Sequence, residues 1–186
     1  MLGEYVCLQQ QNHCIASRKL CEKRDLKTDG TTLKTKLLTC SCRSPMAEAV
    51  FASVVKEKGY DDRFETIDSF GTSGWHVGEP PDHRSSSCCR SHGVPVKPSA
   101  QQIRGEDFKR FDYIIGMDSS NLNNLKRIQP KGNKSVVELF GNWRTDKSVA
   151  YEVQDPYYGG KDGFETNFKQ LKHFSEVFLE REVDRK

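Results

Sequence analysis

From Ser44 to the C-terminus, short apolar runs alternate with amphipathic segments, and no other feature constrains the fold of this chain as strongly. Ser44 can cap a helix and Pro45 suits a first helical position. Met46, Ala47, Ala49, Val50, Phe51, Val54 and Val55 then form an apolar face that stops at Gly59. The acid of a strict capping box is displaced by one residue, since Ala47 stands third after Ser44 and Glu48 follows it. Phe64 to Phe70 reads as a strand closed by Gly71, and Asp82 to Ser91 as a short helix ended by Gly93. Ile114 to Met117 is a brief apolar run followed by a helix through Leu122 and Leu125, and Val136 to Phe140 is a further strand. Phe164, Phe168, Leu171, Phe174, Phe178 and Leu179 mark a final amphipathic helix. Strands that alternate with helices pair in parallel and need cover on both faces, so the expected class is α/β.

Composition narrows the partners. A chain of 186 residues fits one domain, and although only 35% of it is apolar, 10 Phe, 6 Tyr and 2 Trp supply a core. Residues 1–36 carry 7 of the 29 Lys and Arg but only 4 of the 26 Asp and Glu, so the remainder is electrically balanced and lacks the basic field of a nucleic-acid binder. No run approaches the ~18 apolar residues of a membrane span, and the N-terminus lacks the basic and apolar regions of a secretory signal. Seven cysteines, with no CxxC pair among them, read as free thiols of a reducing cytoplasm, and no metal or cofactor is expected. Between Gln9 and Lys36 neither periodicity is sustained, so residues 1–41 are expected to be a poorly ordered extension and residues 42–186 the domain.

Two places carry candidate chemistry. Arg43-Ser44-Pro45 opens the first strong helix, where backbone N–H groups, the positive end of the helix dipole and a guanidinium converge as an anion site would require. An ordinary surface arginine beside an ordinary cap accounts for these three residues equally well. Asp155 lies in a long loop beside Tyr157 and Tyr158, an acid that could donate a proton in a partly apolar cleft, although Asp155-Pro156 is also a common turn.

Taken in order, four blocks resemble the low-molecular-weight protein tyrosine phosphatases: Cys42-Arg43-Ser44-Pro45-Met46-Ala47-Glu48-Ala49, Gly74-Trp75-His76-Val77-Gly78 with Pro81-Asp82, Phe111 to Asp118, and Asp155-Pro156-Tyr157-Tyr158-Gly159. The resemblance runs from about Cys42 to the C-terminus. It implies a three-layer sandwich with a four-stranded parallel sheet and helices on both faces. It also implies hydrolysis of phosphotyrosine and small aryl phosphates through a cysteinyl-phosphate, with tyrosine-phosphorylated proteins as substrates. Carried over by position, Arg43 grips the phosphoryl oxygens and Ser44 supports the loop, with Cys42 as a second loop cysteine. Asp155 is the general acid and then the base, Trp75, Tyr157 and Tyr158 are the aromatic walls, and His76 shapes the rim.

One departure stands out. The family loop is Cys, five residues, Arg, and here the sixth residue before Arg43 is Leu37. Leu33 to Leu37 is too polar for a strand buried on both faces, whereas Tyr5-Val6-Cys7-Leu8 matches the end of the family's first strand, which makes residues 4–8 a remnant of that strand and Cys7 the displaced nucleophile. A retained intron, a faulty gene model or a splice variant would produce the same break and is the preferred explanation of it. The alternative function is a binding module for phosphate or phosphotyrosine that lacks its nucleophile. An arsenate reductase, the third reading, would need redox cysteines, and Cys88-Cys89 in a helix read more simply as core.

Overall fold

The structure is a computed structural model and describes residues 32–38, 43–71, 80–97, 101–156 and 161–184. The compact unit to which they belong runs from Thr32 to Lys186. Four strands, β1 (Leu33–Leu38), β2 (Phe64–Phe70), β3 (Tyr113–Gly116) and β4 (Val136–Leu139), form one sheet in the order β2-β1-β3-β4, and every pairing is parallel. Among the described residues five α-helices accompany them: α1 (Arg43–Glu57), α2 (His83–Ser91), α3 (Asp107–Arg110), α4 (Ser119–Ile128) and α5 (Lys161–Glu182). The expected four-stranded α/β sandwich is therefore the fold.

The central strand corrects the sequence reading. Residues 33–38 occupy the slot between β2 and β3, although Lys34, Thr35 and Lys36 make the segment polar, and the unit begins ten residues before the boundary expected at residue 42. Backbone pairing on both edges outweighs composition here, because each ladder satisfies groups that would otherwise be buried without partners. Lys34 shows how the polar residues are tolerated. Its N–H donates to Asp112 Oδ2 at 2.9 Å, its carbonyl accepts from the Asp112 N–H at 2.9 Å, and its ammonium reaches Glu65 at 2.8 Å. The strand expected at residues 4–8 lies outside the described residues.

The two faces of the sheet are covered differently. Tyr113, Phe140, Trp143, Phe51 and Phe178 interlock between the sheet and helices α1 and α5, with Phe51 meeting Phe178 edge-on at 5.2 Å and Tyr113 meeting it at 4.9 Å. Their polar atoms are provided for, since the Tyr113 hydroxyl and the Trp143 ring N–H both donate to the Glu182 carboxylate at 2.9 Å. A second cluster joins Phe70, Ile103, Phe108, Phe111, Ile114 and Leu125.

Parallel register brings the carboxyl ends of all four strands into one row, with Leu38 opposite Phe70 and Gly116, and Gly116 opposite Leu139. From β1 the chain turns to one side through α1 to reach β2, and β3 lies on the other side, so the ends of β1 and β3 mark a topological switch point. Open α/β sheets bind ligands at such a switch point.

Candidate active site

Arg43 and Asp118 meet at that switch point. Arg43 is the first residue of α1, buried at 6% exposure, and its Nη1 lies 2.7 Å from Asp118 Oδ2, just past β3. The same Nη1 donates to the Val153 carbonyl at 2.6 Å. Asp118 has a second task, because its Oδ1 accepts the Asn121 N–H at 2.8 Å and caps α4. A carboxylate tied to the start of a helix cannot swing away, so it fixes the guanidinium it faces.

Ser44 is the second residue of α1 rather than its cap, and its hydroxyl donates to the Phe70 carbonyl at 3.2 Å, joining the helix start to the end of β2. One turn further on, buried Glu48 accepts the Ser69 hydroxyl at 2.6 Å. Burial, reinforced by Asp68, raises the Glu48 pKa above the ordinary carboxylate value despite that bond.

Asp155 is exposed and follows Val153 by two residues, so the chain carries it no more than about 7 Å from the residue whose carbonyl Arg43 holds. Its approach is pinned from several sides. The Val153 N–H donates to the Met117 carbonyl at 2.9 Å, Asn167 on α5 donates to the Gln154 carbonyl at 2.9 Å, and Gln170 donates to the carbonyls of Ala150 and Glu152 at 2.7 and 3.0 Å. Asn167 and Gln170 are themselves buried, at 3% and 6% exposure. A loop without secondary structure thus gains definition from two amides of the final helix.

Three expected site residues, Arg43, Ser44 and Asp155, fall within the described residues. Cys7, Cys42, Trp75, His76, Tyr157 and Tyr158 lie outside them. Sequence reading assigned no role to Asp118, Val153, Asn167 or Gln170. For the two amides a signal existed, in polar residues interrupting the apolar stripe of Phe164, Phe168 and Leu171. Cys89 is buried as expected of a core residue, whereas Cys88 is half-buried and meets Glu165. Burial pushes the Cys89 thiol up to about 12, and burial with the Glu165 charge pushes Cys88 up to about 11. Thiols held in that form are poor partners for disulfide exchange, which weighs against the reductase reading.

The model of the family described as low molecular weight phosphotyrosine protein phosphatase matches residues 38–186. The chain belongs to that family. A phosphatase of this name from Saccharomyces cerevisiae is 53% identical over 143 residues, covering 76% of this chain and 89% of the relative. The human relative of the same name is 43% identical over 142 residues, 75% of this chain and 88% of its own. Among solved structures, Primo-1 aligns with a TM-score of 0.75 at 35% identity, covering 81% of this chain and 99% of that protein. The family match begins at Leu38, the last residue of β1, so the segment that supplies most of the central strand precedes it. Among the described residues no helix is long and apolar enough to cross a membrane.

Proposed function

We propose that this chain hydrolyses phosphotyrosine in proteins, and small aryl phosphates, through a cysteinyl-phosphate in the cytoplasm. The observation that carries the reading is Arg43, held by Asp118 and Val153 at the carboxyl ends of the strands, beside a helix start, with Val153 two residues before Asp155 on an ordered approach. A guanidinium fixed through Nη1 is pre-oriented, and the N–H groups at the start of α1 add partial positive charge on the same side. Ser44 ties that start to β2. Asp155 protonates the departing tyrosyl oxygen and then takes the proton of the water that hydrolyses the intermediate. Trp75, Tyr157 and Tyr158 receive the aromatic ring, His76 borders it, and Cys42 completes the phosphate loop.

Cys7 is the nucleophile in this proposal, and the ladder states what its use demands. Leu37, six residues before Arg43, pairs with Ser69 on one edge and Ile115 on the other. Residues 4–8 must take that slot in place of 33–38 for the Cys7 sulfur to reach the loop. Leu37 is also the observation that favours the second reading, a module that binds phosphate without turning it over.

Turnover of an aryl phosphate by the full chain and by its Cys7→Ser variant tests the assignment. Activity that disappears with Cys7→Ser supports it, and activity indifferent to the change overturns it. Vanadate binding without turnover in either protein establishes the binding module instead. In an active chain, Asp155→Asn is expected to slow phosphotyrosine hydrolysis by ~10²–10⁴-fold and to matter less for a good leaving group, which departs without the proton.

A further inference from the structure

Between the start of α5 and the end of α2, three side chains converge that the phosphatase reading does not use. Cys88 and His92 are four residues apart, on the last turn of α2 and its cap, and so lie on one face. Glu165 faces them from the first turns of α5. The Cys88 thiol donates to Glu165 Oε2 at 3.6 Å, and His92 Nε2 lies 3.0 and 2.9 Å from the two oxygens of the same carboxylate. Sulfur, nitrogen and oxygen all lie within 4.8 Å of one another.

We propose that Cys88, His92 and Glu165 form a zinc site that fastens α2 to α5. A tetrahedral zinc with bonds of ~2.3 Å to sulfur and ~2.05 Å to nitrogen and oxygen sets sulfur and oxygen ~3.6 Å apart and nitrogen and oxygen ~3.3 Å apart. The first separation is the one found, the second requires His92 and Glu165 to part by roughly 0.4 Å, and sulfur and nitrogen, which lie within 4.8 Å, must settle ~3.6 Å apart. Thiolate, imidazole and carboxylate together suit zinc better than magnesium or calcium, which take oxygen ligands. The His92 ring is already oriented, stacked on Phe168 with centroids 4.0 Å apart and 13° between planes.

The surroundings leave a coordination position open. A groove of about 460 Å³ runs past the cluster, lined by Cys88, Glu165, His83, Ser91 and Asp162, and admits water as the fourth ligand. Lys169, 3.7 Å from Glu165 Oε1, is the competing cation, but its side chain is largely exposed and leaves at little cost. Binding exchanges the Cys88 S–H bond for an S–Zn bond and releases that proton to solvent, with His92 neutral and Glu165 ionised. Because the thiol must give up its proton, affinity for the metal rises with pH.

Cobalt serves as the spectroscopic probe and zinc as the ligand, with the full chain as the protein. Wild type is expected to bind one cobalt per chain at this cluster, with a thiolate-to-cobalt charge-transfer band and tetrahedral d–d bands that zinc displaces. Cys88→Ser is expected to lose the charge-transfer contribution, and Glu165→Gln and His92→Gln to weaken zinc by at least 10-fold, the lower end of what even outer-shell changes cost. Zinc at about 100 times the wild-type Kd is expected to raise the wild-type Tm by roughly 5–10 °C and that of Glu165→Gln by about half as much or less. Because His92 and Glu165 are on the surface, their variants fold, and their metal-free melting curves verify this. A cobalt spectrum identical in wild type and Cys88→Ser, or a zinc-dependent rise undiminished in Glu165→Gln, overturns the site, as does the absence of tetrahedral cobalt in wild type.

Discussion

Removing Asp118 tests the part of the site that the tertiary structure adds. Its Oδ2 faces Arg43 Nη1 at 2.7 Å and its Oδ1 caps α4, so Asp118→Ala removes two interactions and Asp118→Asn chiefly the ionic one. Stripping one partner from a buried pair costs ~3–5 kcal/mol. Here the lower end applies, because the Asp118 side chain is 20% exposed whereas that of Arg43 is 7% exposed. About 3 kcal/mol for Asp118→Asn follows from that pair, and about 1 kcal/mol more for Asp118→Ala from the lost cap. At roughly 2–4 °C per kcal/mol for a chain of this size, calorimetry should show Asp118→Asn melting about 6–12 °C below wild type and Asp118→Ala a further 2–4 °C below that. A guanidinium released from its anchor is also misplaced for phosphate, so aryl phosphate turnover by an active chain should fall by about 10²-fold. A cycle with Arg43→Met completes the experiment, since the two losses must be strongly non-additive if the pair is their common cause. Asp118→Asn melting within 1–2 °C of wild type would refute the reasoning, about 1 kcal/mol being all that such a shift permits.

Other perturbations reach different parts of the structure. Glu48 binds its proton more tightly when folded than when unfolded, so its contribution to stability falls as pH rises from the ordinary carboxylate range through its raised pKa. Glu48→Gln should therefore melt above wild type at neutral pH with the difference closing in acid, and a difference independent of pH in thermal melts would contradict this. A Cβ on Gly141 would lie 1.8 Å from the Tyr151 carbonyl oxygen, so Gly141→Ala should cost about 1–3 kcal/mol or more in denaturant unfolding. Asn167→Ala removes the donor to the Gln154 carbonyl beside Asp155 and should lower turnover of phosphotyrosine more than that of an activated aryl phosphate; equal losses in kinetic assays would separate Asn167 from the acid's placement.

Helix α1 and strand β2 were legible because periodicity alone marks them: the apolar face from Met46 to Val55 and the short run from Phe64 to Phe70 need no knowledge of neighbours. The parallel α/β class followed from the order of such segments, four strands from the family resemblance, and Arg43 from its place at a helix start. The central strand did not follow. Lys34, Thr35 and Lys36 carry the wrong local pattern, and their strand conformation rests on hydrogen bonding to β2 and β3, whose residues lie about 30 and 80 positions further along the chain. The same physical reason hid the partners of the site. Asp118 stands beside Arg43, and Cys88 and His92 beside Glu165, across gaps in sequence of more than 70 residues, because parallel strands and their helices bring distant segments to one edge. Local sequence thus determined the strongly periodic helices and strands, though not the central one, and which residue types could do chemistry. Pairing register and helix packing, set by burial of apolar faces and satisfaction of backbone groups throughout the fold, decided which of those residues meet.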